Sequence, residues 1–517
     1  MVSESIKYLH IGRAGDLTGK DKVLYRFFEI LPGFFSVGTL IGIGFFSWFL
    51  PVWTAFFIII FDLYWLIKTF YLSLHLRANW AKMRHYLKLD WQERLNNLKY
   101  DHIWQMVIMP FYKESYDVLF TTLESLGKTK WDKNKMIVVL AYEERAGEEA
   151  EKNAQRAQEE YQNKFGHFLI VKHPQDLKEE MPGKGSNLAY ATPYAGEKIL
   201  DANNIKYEDV LVSAFDIDTR PYEQYFLCLT WHFLTCEKPH RSSFQPVPIY
   251  NNNIWDAPAF SRVVATSGTF WQMMQQERPE RLATFSSHSL SFKALHEIGY
   301  WQKNMVNEDS RIFWNAFMYY DGDYQAVPIS YPISLDANLA PNFLGTVKNV
   351  YKQQNRWTYG TAENAVYILF HFLKNKKIDL KKKLRLLFVQ WEGAWSLATN
   401  PLIIFFLGWL PLALGGQEFN SLLLSYNLPR VTRNIMTLAM FGLIMSAIIS
   451  TTLLPPRPQE KSKLKYFTMI IQWVMIPFTI PIFGALPGLD AQIRLMLGKY
   501  ISFWVTPKYR KKQEKSV

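Results

Sequence analysis

Cysteine is scarce in this chain: 2 in 517 residues, Cys228 and Cys236. They have no CxxC spacing and no nearby histidine cluster, so neither a disulfide framework nor a zinc site has support, and both read as small core residues. The first 30 residues lack the short apolar stretch and small-residue cleavage site of a signal peptide, so the N-terminus is expected to stay in the cytoplasm. No helix-turn-helix, zinc-finger or RNA-binding signature accompanies the net charge of +12. Nucleic acid is therefore set aside, and the charge suits anionic lipid and an anionic small substrate instead.

Hydrophobic residues make up 49% of the chain, yet mean hydropathy is only -0.10, which suits a polar domain joined to apolar spans better than a uniformly buried bundle. Phe34–Leu50 and Trp53–Leu74 can each cross a bilayer, for which about 20 apolar residues are needed. Lys68, Arg77, Lys82, Arg84 and Lys88 follow, and positive charge beside a span places the central region in the cytoplasm. Residues 350–387 form an amphipathic, increasingly basic segment that fits the membrane interface, with a solvated surface helix as the alternative. Apolar spans recur at 394–414 and 434–454, and a third at 466–487 carries Pro477, Pro481 and Pro487, which mark a broken or re-entrant helix. The number of complete spans decides on which side the basic tail Lys508 to Lys515 lies, and that parity stays open.

Between about 100 and 335, short apolar runs alternate with polar helix-like stretches. Ile103–Met109, Met136–Ala141, Phe168–Val171 and Val210–Phe215 read as buried parallel strands; Glu148–Lys164 and Asn187–Leu200 read as helices. The pattern predicts an α/β domain with a doubly wound sheet, whose ligands bind at the carboxyl ends of the strands. The chain thus divides into a cytoplasmic segment (1–30), two transmembrane helices (31–75), the α/β domain (95–345), interfacial helices (346–387), a second transmembrane region (390–490) and a C-terminal segment (491–517).

Asp216 and Asp218 stand one residue apart after the strand Val210–Phe215, where two carboxylates can reach a divalent cation, Mg2+ or Mn2+, bridging the phosphates of a nucleotide sugar. Glu308-Asp309 precedes an apolar helix-like run and could supply a general base; an acidic pair at a helix start is also simply favoured by the helix dipole. Gln353 and Arg356 share a helix face, Arg suits phosphate, and Trp357 offers either a sugar-stacking face or an interfacial anchor. Lys184-Gly185-Ser186-Asn187 opens a helix, favourable for phosphate, but no Walker A glycine precedes it at the required spacing.

Taken in order, Met109-Pro-Phe-Tyr-Lys-Glu114, GKGSN, DxD, ED and QxxRW resemble the membrane-integrated family 2 glycosyltransferases, bacterial cellulose synthase and hyaluronan synthase above all. Phe503, Val505, Thr506 and Lys508 are similar to the FxVTxK gating loop of cellulose synthases, which closes over the bound nucleotide. The resemblance implies a GT-A fold and an inverting transfer from a nucleotide sugar, a UDP-sugar in the first instance and a GDP-sugar as the alternative. It implies Asp309 as base with Glu308 in support, and Asp216 and Asp218 at the metal and diphosphate. Phe111, Tyr112, Glu114, Glu143, Lys184, Gln353 and Arg356 would face the donor; Trp357, Tyr300, Trp301 and His288 would face the acceptor. Ala141-Tyr142-Glu143-Glu144 replaces the family's Asp-rich turn, the Phe285–Ser289 stretch departs from cellulose synthase, and regulation through a PilZ-like domain is not expected. The implied setting is a multi-pass protein of the plasma (inner) membrane, in contact with lipid, whose polymer passes between its own helices with Trp391 and Trp395 as candidate lining. A single transfer to a ceramide or polyprenyl-phosphate lipid is the alternative, a non-catalytic transporter or scaffold a third reading, and homo-oligomerisation is left open.

Overall fold

The computed structural model describes residues 8–510. Residues 511–515 of the basic tail, and the first seven residues of the N-terminal segment, fall outside that range.

Eight strands form one mixed sheet in the order β3-β2-β1-β4-β7-β6-β8-β5. The parallel half, β1 (Trp104–Phe111), β2 (Met136–Glu143), β3 (His167–His173) and β4 (Val210–Ala214), consists of the strands read from sequence, with ends shifted by one or two residues. These strands are apolar on both faces because helices cover both faces. The other half departs from a purely parallel expectation. β7 (His288–Ser291) runs antiparallel to β4 and to β6 (Ser242–Tyr250), β6 is parallel to β8 (Gln325–Leu335), and β5 (Arg220–Pro221) closes the edge. β6 and β8 carry Pro246, Pro248, Pro328 and Pro332, which argue against a strand when read along the chain. A register shift between Gln245 and Val247 accommodates Pro246 in the ladder.

Among the described residues, four helices are long and apolar enough to cross a membrane: Gly19–Phe49, Pro51–Tyr86, Leu423–Thr452 and Leu464–Met496. Leu380–Phe405 and Leu407–Leu414 make a fifth if their 51° bend is counted within one span. The break thus falls at Phe406, ahead of the proline-rich segment for which sequence suggested it. Leu464–Met496 stays helical through its prolines because they sit where the hydrogen-bond pattern changes: Pro477 and Pro487 each enter a new α-helical turn, and Pro481 opens a π turn.

The helix Phe343–Lys374 ends at Asn375, and a new helix, Leu380–Phe405, starts from an Asp379 cap. The stretch Thr358–Phe372 is buried almost all round, between the sheet domain and the candidate membrane helices. Further on, Leu380, Leu384 and Phe388 are exposed beside Lys381, Lys382 and Lys383. Trp391 packs edge-on to Phe35, and Trp395 packs on Phe61 while donating its indole N–H to Thr39 at 3.0 Å, so both join helix to helix. Cys228 is buried and Cys236 partly so, and both are free thiols.

Candidate active site

The charged motifs converge at the carboxyl edge of the sheet. Phe215 continues β4 by donating its N–H to Ile108, and Asp216 follows where β1 and β4 end. β7 runs the other way beside β4, so its entry residues meet the exit of β4. Ser286 Oγ donates to Asp216 Oδ2 at 2.5 Å, and Asp216 N–H donates to Ser287 Oγ at 3.1 Å. Asp218 is fully buried, and its Oδ2 accepts the backbone N–H of Asp336, just past β8, at 2.8 Å.

Two helix starts complete the cluster. Lys184 opens the helix Lys184–Ala195 and Glu308-Asp309 opens Glu308–Tyr319, where negative charge favours the positive helix end. Gly185 lets these helices meet, since a Cβ there would lie 2.8 Å from the Gln302 carbonyl and 3.0 Å from Glu308 Cβ. Lys184 Nζ bridges two motifs, standing 2.7 Å from Asp216 Oδ1 and 2.7 Å from Asp309 Oδ1. Lys508 Nζ sits 2.7 Å from Asp218 Oδ2.

Burial sets the titration of these groups. Against its cost, Lys184 and Lys508 hold Asp216 well below the usual carboxylate range. Burial, together with Glu308 and Asp216, pushes Asp309 well up although Lys184 opposes it. Burial likewise raises Asp218 and Glu308. Asp218 Oδ1 and both Glu308 oxygens are buried without a hydrogen-bond partner. Unpaired buried acceptors are costly, and among the described residues no group of three or more His, Cys, Asp or Glu is arranged to hold a metal ion.

The remaining donor-side residues lie along the same edge. Phe111 ends β1 with its ring 5.9 Å from Tyr142, and the next residue, Tyr112, donates its N–H to Glu114 at 2.7 Å. Burial raises the Glu114 carboxyl, while Lys508 pulls it down. Glu143 is already engaged: Arg145 grips it through two nitrogens at 2.6 and 3.1 Å and stacks on Tyr112 at 4.3 Å. Gln353 accepts from Asn338 at 3.3 Å; Arg356 donates to the Val306 carbonyl at 2.9 Å and lies 4.6 Å over the Phe503 ring. Phe503 packs on Gly183, where a Cβ would stand 2.5 Å from the ring. Val505 is half-buried, and Thr506 is buried with a hydroxyl that has no partner.

Trp357 faces the cluster with Phe285 (ring centroids 5.5 Å apart) and Tyr250 (6.5 Å), the latter at the end of β6. Tyr300, Trp301 and His288 do not join this group. Trp301 is 0% exposed in the core, and His288 is buried against it within β7. Tyr300 turns away to His296 and Phe292. Sequence reading also missed Asp336, Tyr250, Arg145 and Arg510. Asp336 follows a strand end just as Asp216 does, a signal hidden by the prolines of β8.

No family model matches the chain, and no curated protein does. Among solved structures, the chain is similar to the mannosyltransferase PcManGT from Pyrobaculum calidifontis in complex with GDP-Man and Mn2+ (TM-score 0.43, 14% identity, covering 76% of this chain and 99% of that one). It is also similar to S. aureus TarS 1-349 in complex with UDP-GlcNAc (TM-score 0.36, 12% identity, 68% and 91%). A third is GalNAc-T7 with UDP, GalNAc and Mn2+ (TM-score 0.34, 11% identity, 57% and 58%).

Proposed function

We propose that this chain is a membrane-embedded, inverting glycosyltransferase with a GT-A-type domain, which moves a sugar from a nucleotide sugar, in the first instance a UDP-sugar, to a growing polysaccharide. The observation that carries this reading is Lys184, which joins the DxD and ED motifs into one buried site from separate elements. Asp216 and Asp218 would hold Mg2+ or Mn2+; when bound, the cation neutralises charge on the leaving diphosphate. Asp309, 2.7 Å from Lys184, takes the proton of the acceptor hydroxyl, and burial, by raising its carboxyl above the usual range, makes it a stronger base. The acceptor oxygen bonds to the anomeric carbon as the bond to the diphosphate oxygen breaks, and the nucleoside diphosphate leaves with the electron pair.

Lys184, Arg356 and Gln353 would take the diphosphate, and Phe111, Tyr112, Glu114 and Glu143, the last held by Arg145, would take the nucleoside. Trp357, with Phe285 and Tyr250, offers the acceptor sugar a ring surface. Asn355, beside Arg356, donates to the Pro487 carbonyl and to Asp490 of the last long helix, so the acceptor side adjoins the candidate membrane region. That position, together with the docked segment Phe503–Lys508, supports extension of a polymer towards the membrane. The test is purified protein in nanodiscs with Mn2+ and a panel of nucleotide sugars, sizing the labelled product. A long polymer from one donor establishes a synthase; a single sugar on lipid moves the chain to the lipid-modifying class.

A further inference from the structure

The residues ahead of the first long helix are built into the sheet domain beside the ED motif. Leu9 is buried in the core that also holds Trp301, Ile312 and Tyr367, while Ile11 and Ala14 pack with Val306, Tyr359 and Val366. Buried irregular backbone needs partners for its carbonyls, and here the partners are side chains. The Leu9 carbonyl accepts from Tyr367 Oη at 3.0 Å, that of His10 from Gln302 at 3.2 Å, and that of Ile11 from Arg311 Nη1 at 3.0 Å. Asp16 Oδ2 accepts from Asn304 Nδ2 and from the Gly12 N–H, each at 2.9 Å. Gly12 is pressed on the same loop, since a Cβ there would lie 2.8 Å from the Asn304 carbonyl oxygen. Glu29 holds the far end, accepting the Ala14 N–H at 2.9 Å. Gln302, Asn304 and Arg311 thus bring the contacts to both sides of Glu308-Asp309 in the chain.

The opposite face of this loop meets the start of the Lys184 helix, where the Gln302 carbonyl packs on Gly185. Arg311 is 0% exposed and also donates through Nε to Asn364 Oδ1 at 2.7 Å. A buried guanidinium is tolerated only where its donors are bonded, so the Ile11 carbonyl is part of what holds the Glu308–Tyr319 helix in place. We propose that residues 9–16 are a positioning element of the active site: through Gln302, Asn304 and Arg311 they fix the loop and helix start that set Asp309 against Lys184. They act through that loop. The proposal rests on the general-base role given to Asp309 above and adds what keeps that base in place.

The experiment compares the full chain and its Asn304→Asp variant in nanodiscs, by hydrogen exchange without nucleotide and by kinetics with the donor that yields product in the panel above. Asn304→Asp sets a carboxylate against Asp16 where an amide now donates. It is expected to speed exchange within residues 301–312. It is also expected to lower kcat about tenfold with the donor KM unchanged, as a small misplacement of a reacting group does. Adding Asp16→Asn exchanges amide and carboxylate across the same contact, and is expected to restore both readouts, which a general loss of stability would not allow. Gly12→Ala, which presses on the Asn304 carbonyl, is expected to act in the same direction and carries the test should Asn304→Asp fail to fold. Unchanged exchange within 301–312, or faster exchange with unchanged kcat, overturns the proposal. Faster exchange in a protein that transfers sugar from no donor overturns the glycosyltransferase reading and leaves the brace standing.

Discussion

The two halves of the candidate site are built from different materials. The half proposed to take the donor is ionic: Lys184, Asp216, Asp218, Asp309 and Lys508 each find an opposite charge at 2.7 Å. The half proposed to take the acceptor is aromatic, with Trp357 against Phe285 and Tyr250. A buried charge is tolerated only beside a partner, so its position in sequence is informative. An aromatic ring is equally at home in a core or at a site, and only the fold separates the two. Trp301 and Trp357 show this, for sequence offered both to the acceptor and the structure brings only Trp357 to the site.

That contrast can be broken at either end. Asp309→Asn is expected to lower kcat by about a thousandfold, the scale of a lost general base, with the thermal midpoint unchanged. Trp301→Ala is expected to cost stability, about 3–5 kcal/mol by denaturant unfolding, because it empties a packed core. Trp357→Ala should instead spare the fold and lower activity roughly tenfold, the scale of one lost ring contact, with Trp357→Phe closer to wild type. Equal stability losses at both tryptophans would erase the distinction between core and site.

A further expected effect is a pH dependence away from the site. Burial pushes Glu363 up to about 8, with Arg311 opposing and Glu29 and Asp16 adding to the rise. A carboxyl raised on folding stabilises the fold in its protonated form, fully so below its unfolded pKa. That contribution fades as pH rises towards 8. The thermal midpoint of the wild type should therefore fall between pH 5 and pH 8, values spanning the cited shift, relative to that of Glu363→Gln. Parallel curves for the two proteins would show that Glu363 titrates normally.

Much of this was legible along the chain, for identifiable reasons. Strands β1 to β4 are continuous apolar runs, and the carboxylates after β4 and at the start of Glu308–Tyr319 occupy positions where charge must serve a purpose. β6 and β8 were hidden by prolines that a register shift absorbs, and with β8 went Asp336. Arg510 was missed because it acts through a carboxylate, Asp336, that only the fold brings near. The prolines of Leu464–Met496 coincide with changes of hydrogen-bond pattern along one long helix, which a reading of sequence alone marks only as an interruption.

The most direct test of the proposed chemistry is the anomeric configuration of the product, read by NMR from an α-linked nucleotide sugar. Direct displacement by an acceptor hydroxyl, with Asp309 as its base, must give a β linkage. An α linkage would contradict the single displacement and the role given to Asp309.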